Sequence, residues 1–431
     1  MAHADSIRFL SLTVSVGPYR HFALAILFLV GLLNYLDRYL IAILLPDMKS
    51  ELGLSDTQIG LITGLAFSIF YAAMGIPIAR LADRFSRRGI LSAALVAWSA
   101  MTAACGLVQN FAQLLVARIL VGVGEAGATP ASHSLISDYY PRQERATALA
   151  VHTMTTPAGV MLGFLIGGLI TEHFGWRMAL FAFGVPGILV ALLVYVLLKE
   201  PRRGESDGAV ANAELPPFWP AWRALIARKT FFHLCMAGGS FSFMFLAVIQ
   251  WLPSFFDRTH ALGTAQIGTW LAFVIGIPQG LGLLTGGYLA DRLARIDLRW
   301  PLLMSCGVVL SSAPFYFVVF LSDNPTLAFL ALCPPFFLGL MQGGAQFSAI
   351  QNVAGVRMRS VAAGTVLLFL NLIGGMGPLA VGIASDLLFP SLGDDALRYA
   401  LLVIAAGGAV WTASHFYMAS RTVRDDIAMV D

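Results

Sequence analysis

The chain has 431 residues, of which 58% are hydrophobic and only 12% charged, and its mean hydropathy is +0.77. A soluble globular chain is about one quarter charged, so most of this surface faces something other than water. The net charge of +3 gives no argument for nucleic acid, and the four cysteines, all in apolar stretches, lack metal-clip or disulfide spacing.

The first 20 residues include Asp5 and Arg8 and have no compact apolar core, so no cleaved signal peptide is expected. Apolar runs of about 20 residues, enough to cross a bilayer, then recur near 21–45, 57–79, 90–108, 111–134, 146–171 and 177–198. A polar stretch over 199–229, rich in proline, glycine and mixed charge, reads as a cytoplasmic linker. Six more runs follow near 230–253, 264–288, 301–321, 325–349, 360–388 and 397–420. The expected fold is all-α: twelve transmembrane helices in two pseudo-symmetric six-helix bundles, 1–198 and 230–431. If both termini share one side, that side carries 21 of the 27 basic residues and the other only Lys49, Arg177, Arg258 and Arg398. By the positive-inside rule both termini are cytoplasmic. No Asn-x-Ser/Thr acceptor occurs, in keeping with a bacterial inner-membrane protein.

Two short strings repeat between the halves. Ala79–Arg88 (ARLADRFSRR) follows the second span and Gly287–Arg295 (GYLADRLAR) follows the eighth, with Asp83 and Asp291 about half the chain apart. Duplicated halves of this kind are a transporter plan. The LADR loops resemble motif A of the major facilitator superfamily, although the first copy has Ala79 and Ser86 where that motif has glycines. Asn34–Arg38 (NYLDR), Arg118–Ser132 (RILVGVGEAGATPAS), Ser134–Arg145 (SLISDYYPRQER) and Gly374–Asp386 (GGMGPLAVGIASD) resemble its Spinster branch. That resemblance implies proton-linked transport of lysophospholipids or phosphorylated sphingoid lipids. It also implies that Asp83 caps helix 11, with Arg84, Asp138 and Arg142 in a cytoplasmic charge latch and Asp291 and Arg292 as its weaker counterpart.

The residues are informative without the resemblance. Of 24 carboxylates only Asp37 and Glu125 lie well inside spans, and of 27 bases only Arg38 and Arg118. A charge at mid-bilayer costs on the order of 3 kcal/mol, so each is a functional candidate. Helix 1 runs outward and helix 4 inward, which brings Asp37 and Arg118 to similar depth, and Glu125 lies two turns from Arg118 on the same face. Asp37 and Glu125 are the candidates for proton coupling. Arg118, then Arg38, with Asn34 beside them, are the candidates for an anionic head group, since a guanidinium can engage phosphate through two parallel bonds. A permanent ion-pair network joining helices 1 and 4 is the structural alternative. His133 and His152 read as packed or interfacial.

The carboxy-terminal spans carry no mid-depth charge. They offer Gln250, Gln279, Gln342, Gln346 and Asn371, and aromatics including Phe241, Phe243, Phe245, Trp251, Phe255, Phe336 and Phe337. A cavity charged on one wall and apolar on the other suits an anionic amphiphile; a small organic anion or sugar acid is the other cargo class. The glycine strings at 159–168 and 374–382, with Pro157 and Pro378, read as kinked, close-packed helices. No phosphate-binding loop, zinc motif or soluble domain is present in the sequence, so neither an enzyme nor a cofactor is expected, and the partners are a lipid-like substrate, protons and the bilayer, with the protein a monomer.

Overall fold

The computed structural model describes residues 18–201, 218–355 and 358–429, apart from the side chains of Ile76, Ala79, Asp83 and Arg142. Among the described residues the regular structure is entirely helical. The first crossing is α1 (Pro18–Leu52), and the second is α2 (Asp56–Gly60) joined through a π-helical turn, Leu61–Leu65, to α3 (Ala66–Arg84). Ser55 starts α2 by a reciprocal cap: its hydroxyl accepts the Gln58 N–H at 3.1 Å while the Gln58 side chain accepts the Ser55 N–H at 3.0 Å. The third crossing is α4 (Arg87–Cys105), and the fourth is broken into α5 (Phe111–Glu125) and α6 (Ala128–Tyr139). The break falls at Ala126 and Gly127, which leaves Glu125 as the last residue of α5.

The fifth crossing begins as α7 (Arg142–Thr153) and continues into α8 (Thr155–Leu197). Its offset at Met154 lies three residues before Pro157, a position proline disfavours for uninterrupted helix. α8 turns back at Gly175, whose φ of 80° glycine adopts without a Cβ penalty, so its second part is the sixth crossing. A short helix, α9 (Phe218–Ala227), precedes α10 (Lys229–His260), α11 (Thr264–Ala294), α12 (Trp300–Leu321), α13 (Pro325–Ala354), α14 (Arg359–Leu392) and α15 (Ala396–Ala428). Among the described residues, ten continuous stretches are long and apolar enough to span. Two of them, 55 and 70 residues long, each turn back once, at Gly175 and at Gly393–Asp395. Twelve crossings result, as the hydropathy pattern predicts. α14 runs as a single helix through Pro378, whereas the fifth crossing is interrupted at Met154, close to Pro157.

The two sets of six meet along α1 against α10, α8 against α11, and α2–α3 against α14. Small residues allow these crossings. A Cβ on Gly60 or Gly64 would strike the α14 backbone at Pro378 or Gly375, and one on Gly268 would strike Phe164. All of these contacts lie toward the end away from most arginines, termed here the far end. Toward the arginine-rich end the packing opens: a Cβ on Gly75, Gly287 or Gly364 would meet nothing within 4 Å. The halves are therefore in close contact at the far end, while glycines toward the arginine-rich end face open space.

Candidate functional site

Four charged side chains meet in the first six crossings. Arg38 of α1 donates its Nε–H to the Glu125 carboxylate at 2.7 Å. Beside this pair, Arg118 of α5 stands 3.9 Å from Asp37 of α1. The first distance is that of a charge-assisted hydrogen bond; the second is too long for any hydrogen bond. Asp37 is held instead by the Thr102 hydroxyl of α4, 2.9 Å from each carboxylate oxygen. Burial is nearly complete: Glu125 is 0% exposed, Arg118 3% and Asp37 5%. The fold thus brings Asp37 and Arg118 together, at the similar depth that the sequence predicts.

Aromatic faces support both cations. The Arg38 guanidinium lies 4.6 Å from the Tyr71 ring centre and 5.1 Å from that of Phe67, and Arg118 lies 5.4 Å from Phe67. Such contacts are worth about 0.5–2 kcal/mol each and hold a guanidinium without using its N–H groups. Three polar atoms of the cluster are buried without a hydrogen-bond partner: Glu125 Oε1, Arg118 Nε and Asn34 Nδ2. An unmet buried group costs about 1–3 kcal/mol, so a ligand or proton that satisfies one is favoured by that amount. A crevice of about 10 Å³ lies beside Asp37, lined by Leu33, Trp98, Ser99, Thr102 and Phe183. That is about the space of a single water and far short of a ligand pocket.

The carboxy-terminal half contributes differently. Phe241 and Phe245 of α10 stack at 5.7 Å, and Phe245 meets Phe336 of α13 edge-on at 5.8 Å. Gln250 reaches the charged cluster, its amide 3.4 Å from the Arg38 carbonyl. Other residues in the sequence inventory serve the scaffold: Gln346 donates to the Leu234 carbonyl, Asn371 to its own helix at Leu367, and Trp251 to Pro378. Phe255 packs on Phe256 and Phe320 near the far end, and Phe243 on Trp411.

The motif residues occupy the arginine-rich end. Asp138 pairs with Arg87, and Arg87 also donates to Glu200 at 2.8 Å. Arg87, 1% exposed, thereby joins α4, α6 and the segment after α8. Arg84 is exposed, as are Asp291 and Arg292, the last stacked 4.5 Å from the Tyr288 ring centre. The side chains of Asp83 and Arg142 lie outside the described residues, and the α14 amino terminus at Met358 shows no side-chain cap among those described.

A second cluster, not singled out from sequence, clamps the far end. Arg258 of α10 grips Asp56 with two bonds of 2.7 Å, and Lys49 and Ser385 reach the same carboxylate at 2.5 and 2.7 Å. Asp386 of α14 accepts the N–H groups of Asp56 and Thr57, at 3.2 and 2.8 Å, which caps α2 from the other half. The available signals were Arg258 among the few basic residues assigned to that side and Asp386 at the end of the glycine string.

The sequence profile of the Major Facilitator Superfamily matches residues 27–381. An MFS-type efflux pump of Mycolicibacterium smegmatis is 34% identical, with 95% of each chain covered. A hexuronate transporter of Bacillus subtilis is 28% identical over 84% of this chain and 86% of its own. The mouse sphingosine-1-phosphate transporter is 28% identical over 92% of this chain and 77% of its own. Among solved structures, a bacterial homologue of the human lysosomal transporter Spinster, inward-facing and unoccupied, superposes with a TM-score of 0.85. It is 29% identical, and the match covers 95% of this chain and 98% of that one.

Proposed function

This chain belongs to the Major Facilitator Superfamily, and we propose that it is a proton-coupled carrier of an anionic, amphipathic lipid of the lysophospholipid or phosphorylated sphingoid type. The observation that carries the reading is the contrast between the two arginines. Arg38 is committed to Glu125 at 2.7 Å, while Arg118 is 3.9 Å from its carboxylate and keeps a buried, unpartnered Nε–H. Arg118 is thus free to take a phosphate, with Arg38 and Asn34 beside it. Burial favours the neutral form of a carboxyl group and a nearby guanidinium favours the charged form. When a head group draws on Arg118, its carboxylate neighbour gains affinity for a proton, and Asp37 and Glu125 exchange protons as a coupled pair. The aromatic group on α10 and α13 offers the acyl chain an apolar wall.

In this reading the bundles 1–198 and 230–431, joined by the linker 199–229, rock about the site, and both termini lie in the cytoplasm. The protein works as a monomer in the inner membrane. The arginine-rich opening is then the inward-facing one. A second reading, a carrier of a sugar acid or other small organic anion, is supported by the hexuronate-transporting relative. Reconstituted protein under an imposed pH gradient separates the two. The lipid reading expects uptake of a lysophospholipid and not of glucuronate, and the reverse result selects the sugar-acid reading.

A further inference from the structure

We propose that His152 and His133 carry the proton between Glu125 and the arginine-rich face, along a route within the first six crossings. The inference rests on the proton-coupled reading above and adds the path. His152 of α7 is 6% exposed, and its Nε2 is buried without a hydrogen-bond partner. That nitrogen lies against α1, 3.1 Å from where a Cβ on Gly31 would sit. The absence of a side chain at Gly31 leaves the imidazole facing the turn that leads to Asn34 and Arg38. His133 of α6 meets His152 edge-on at 5.3 Å and is itself exposed. One ring is therefore inside and its neighbour outside.

The spacing makes the pair a midway station. Seven residues of α1, about 10 Å of rise, separate Gly31 from Arg38, and eight residues separate Glu125 from His133. In the other direction Arg20 pairs with Glu144 at 2.9 Å, and His21 meets the Tyr140 hydroxyl at 3.2 Å, on the face itself. Between these two groups, over residues 22–34, 126–137 and 146–153, the two imidazoles are the only titratable side chains. The backbone carbonyl of His152 accepts the Thr155 hydroxyl at 2.7 Å, which fixes the end of α7 that carries the ring. In the transfer, the Glu125 carboxylic acid releases its proton to intervening water. His152 Nε2 accepts one to become imidazolium, and a ring N–H then gives a proton through His133 to solvent. The cargo route between the halves is not used.

The test is uptake of a lysophosphatidate with a fluorescent acyl chain into liposomes containing the full-length protein. His133→Gln and His152→Gln are compared with the parent and with Glu125→Gln. The relay predicts that gradient-driven uptake falls about tenfold in each histidine variant, that exchange at equal pH stays at the parent's level, and that added imidazole restores uptake in His133→Gln. Parental gradient-driven uptake in both histidine variants, with Glu125→Gln impaired, overturns the relay alone. Equal loss of driven uptake and exchange without imidazole rescue also overturns it, since that marks a packing role. A parent without gradient-driven uptake overturns the coupled reading itself.

Discussion

Arg38 donates its Nε–H to the Glu125 carboxylate at 2.7 Å and so ties the middle of α1 to the break between α5 and α6. A helix interrupted at a buried carboxylate is a site where a small movement changes the charge environment, because the two halves of the broken helix can shift separately. Replacing a static pair by packed apolar residues costs little in many proteins. Here the pair sits beside a second arginine that no carboxylate among the described residues holds at bonding distance. In the proposed function that asymmetry is what distinguishes a binding site from a rivet.

Arg118→Lys keeps the charge and loses the planar fork. Binding of a lysophospholipid should weaken by about tenfold, and Arg118→Ala should weaken it more, with the charge-assisted bonds worth roughly 1.5–3 kcal/mol. Titration of the purified variants measures this. Unchanged affinity in Arg118→Ala places the head group elsewhere.

The far-end clamp and the LADR loops should act in opposite directions. Arg258→Gln or Asp386→Asn removes bonds that close the far end, so the population should move toward the state open there. Asp83→Asn should move it the other way. Spin-label distances across each end report both shifts, and equal distances in all variants contradict the assignment.

The arginine-rich network should make the protein acid-sensitive. Burial pushes the Glu200 carboxyl up, but the Arg88 backbone N–H, the Arg87 guanidinium and the Ser86 hydroxyl outweigh it and hold the group below its ordinary value of 4.5. A depressed value in the folded state stabilises above the ordinary pKa, and that contribution disappears as pH falls through the depressed one. Thermal stability of the parent should therefore drop below about pH 4.5 more steeply than that of Glu200→Gln. Parallel profiles contradict this. Arg87→Met, which removes the buried guanidinium that joins α4, α6 and Glu200, should lower stability at neutral pH.

The proposed topology rests on the placement of the basic residues. Single cysteines placed at Ser206 and Asp394 should be labelled from opposite sides of the membrane, with Ser206 reached from the cytoplasm. Labelling from one side for both contradicts the orientation.

Much of the fold was legible because span length and charge placement are imposed by the bilayer itself. Asp37, Arg38, Arg118 and Glu125 stood out because a charge among apolar residues is costly. Thr102, Phe67 and Tyr71 did not, since a threonine or an aromatic in a span carries no such cost and its role appears only once α1, α3, α4 and α5 are packed. Arg87 was hidden for another reason. It lies in a run of arginines that reads as topology, and only the fold brings Asp138 and Glu200 to it.

Asp37 and Glu125 are proposed to couple proton movement to cargo. The measurement is lysophospholipid flux into liposomes against an imposed pH gradient, with exchange at equal pH as the reference, for Asp37→Asn and Glu125→Gln. Loss of the proton from either member disturbs the pair, because interacting sites titrate together. Both variants should retain exchange and lose most of the gradient-driven component. Gradient-driven flux at the parent's level in both would show that these carboxylates only lock the helices.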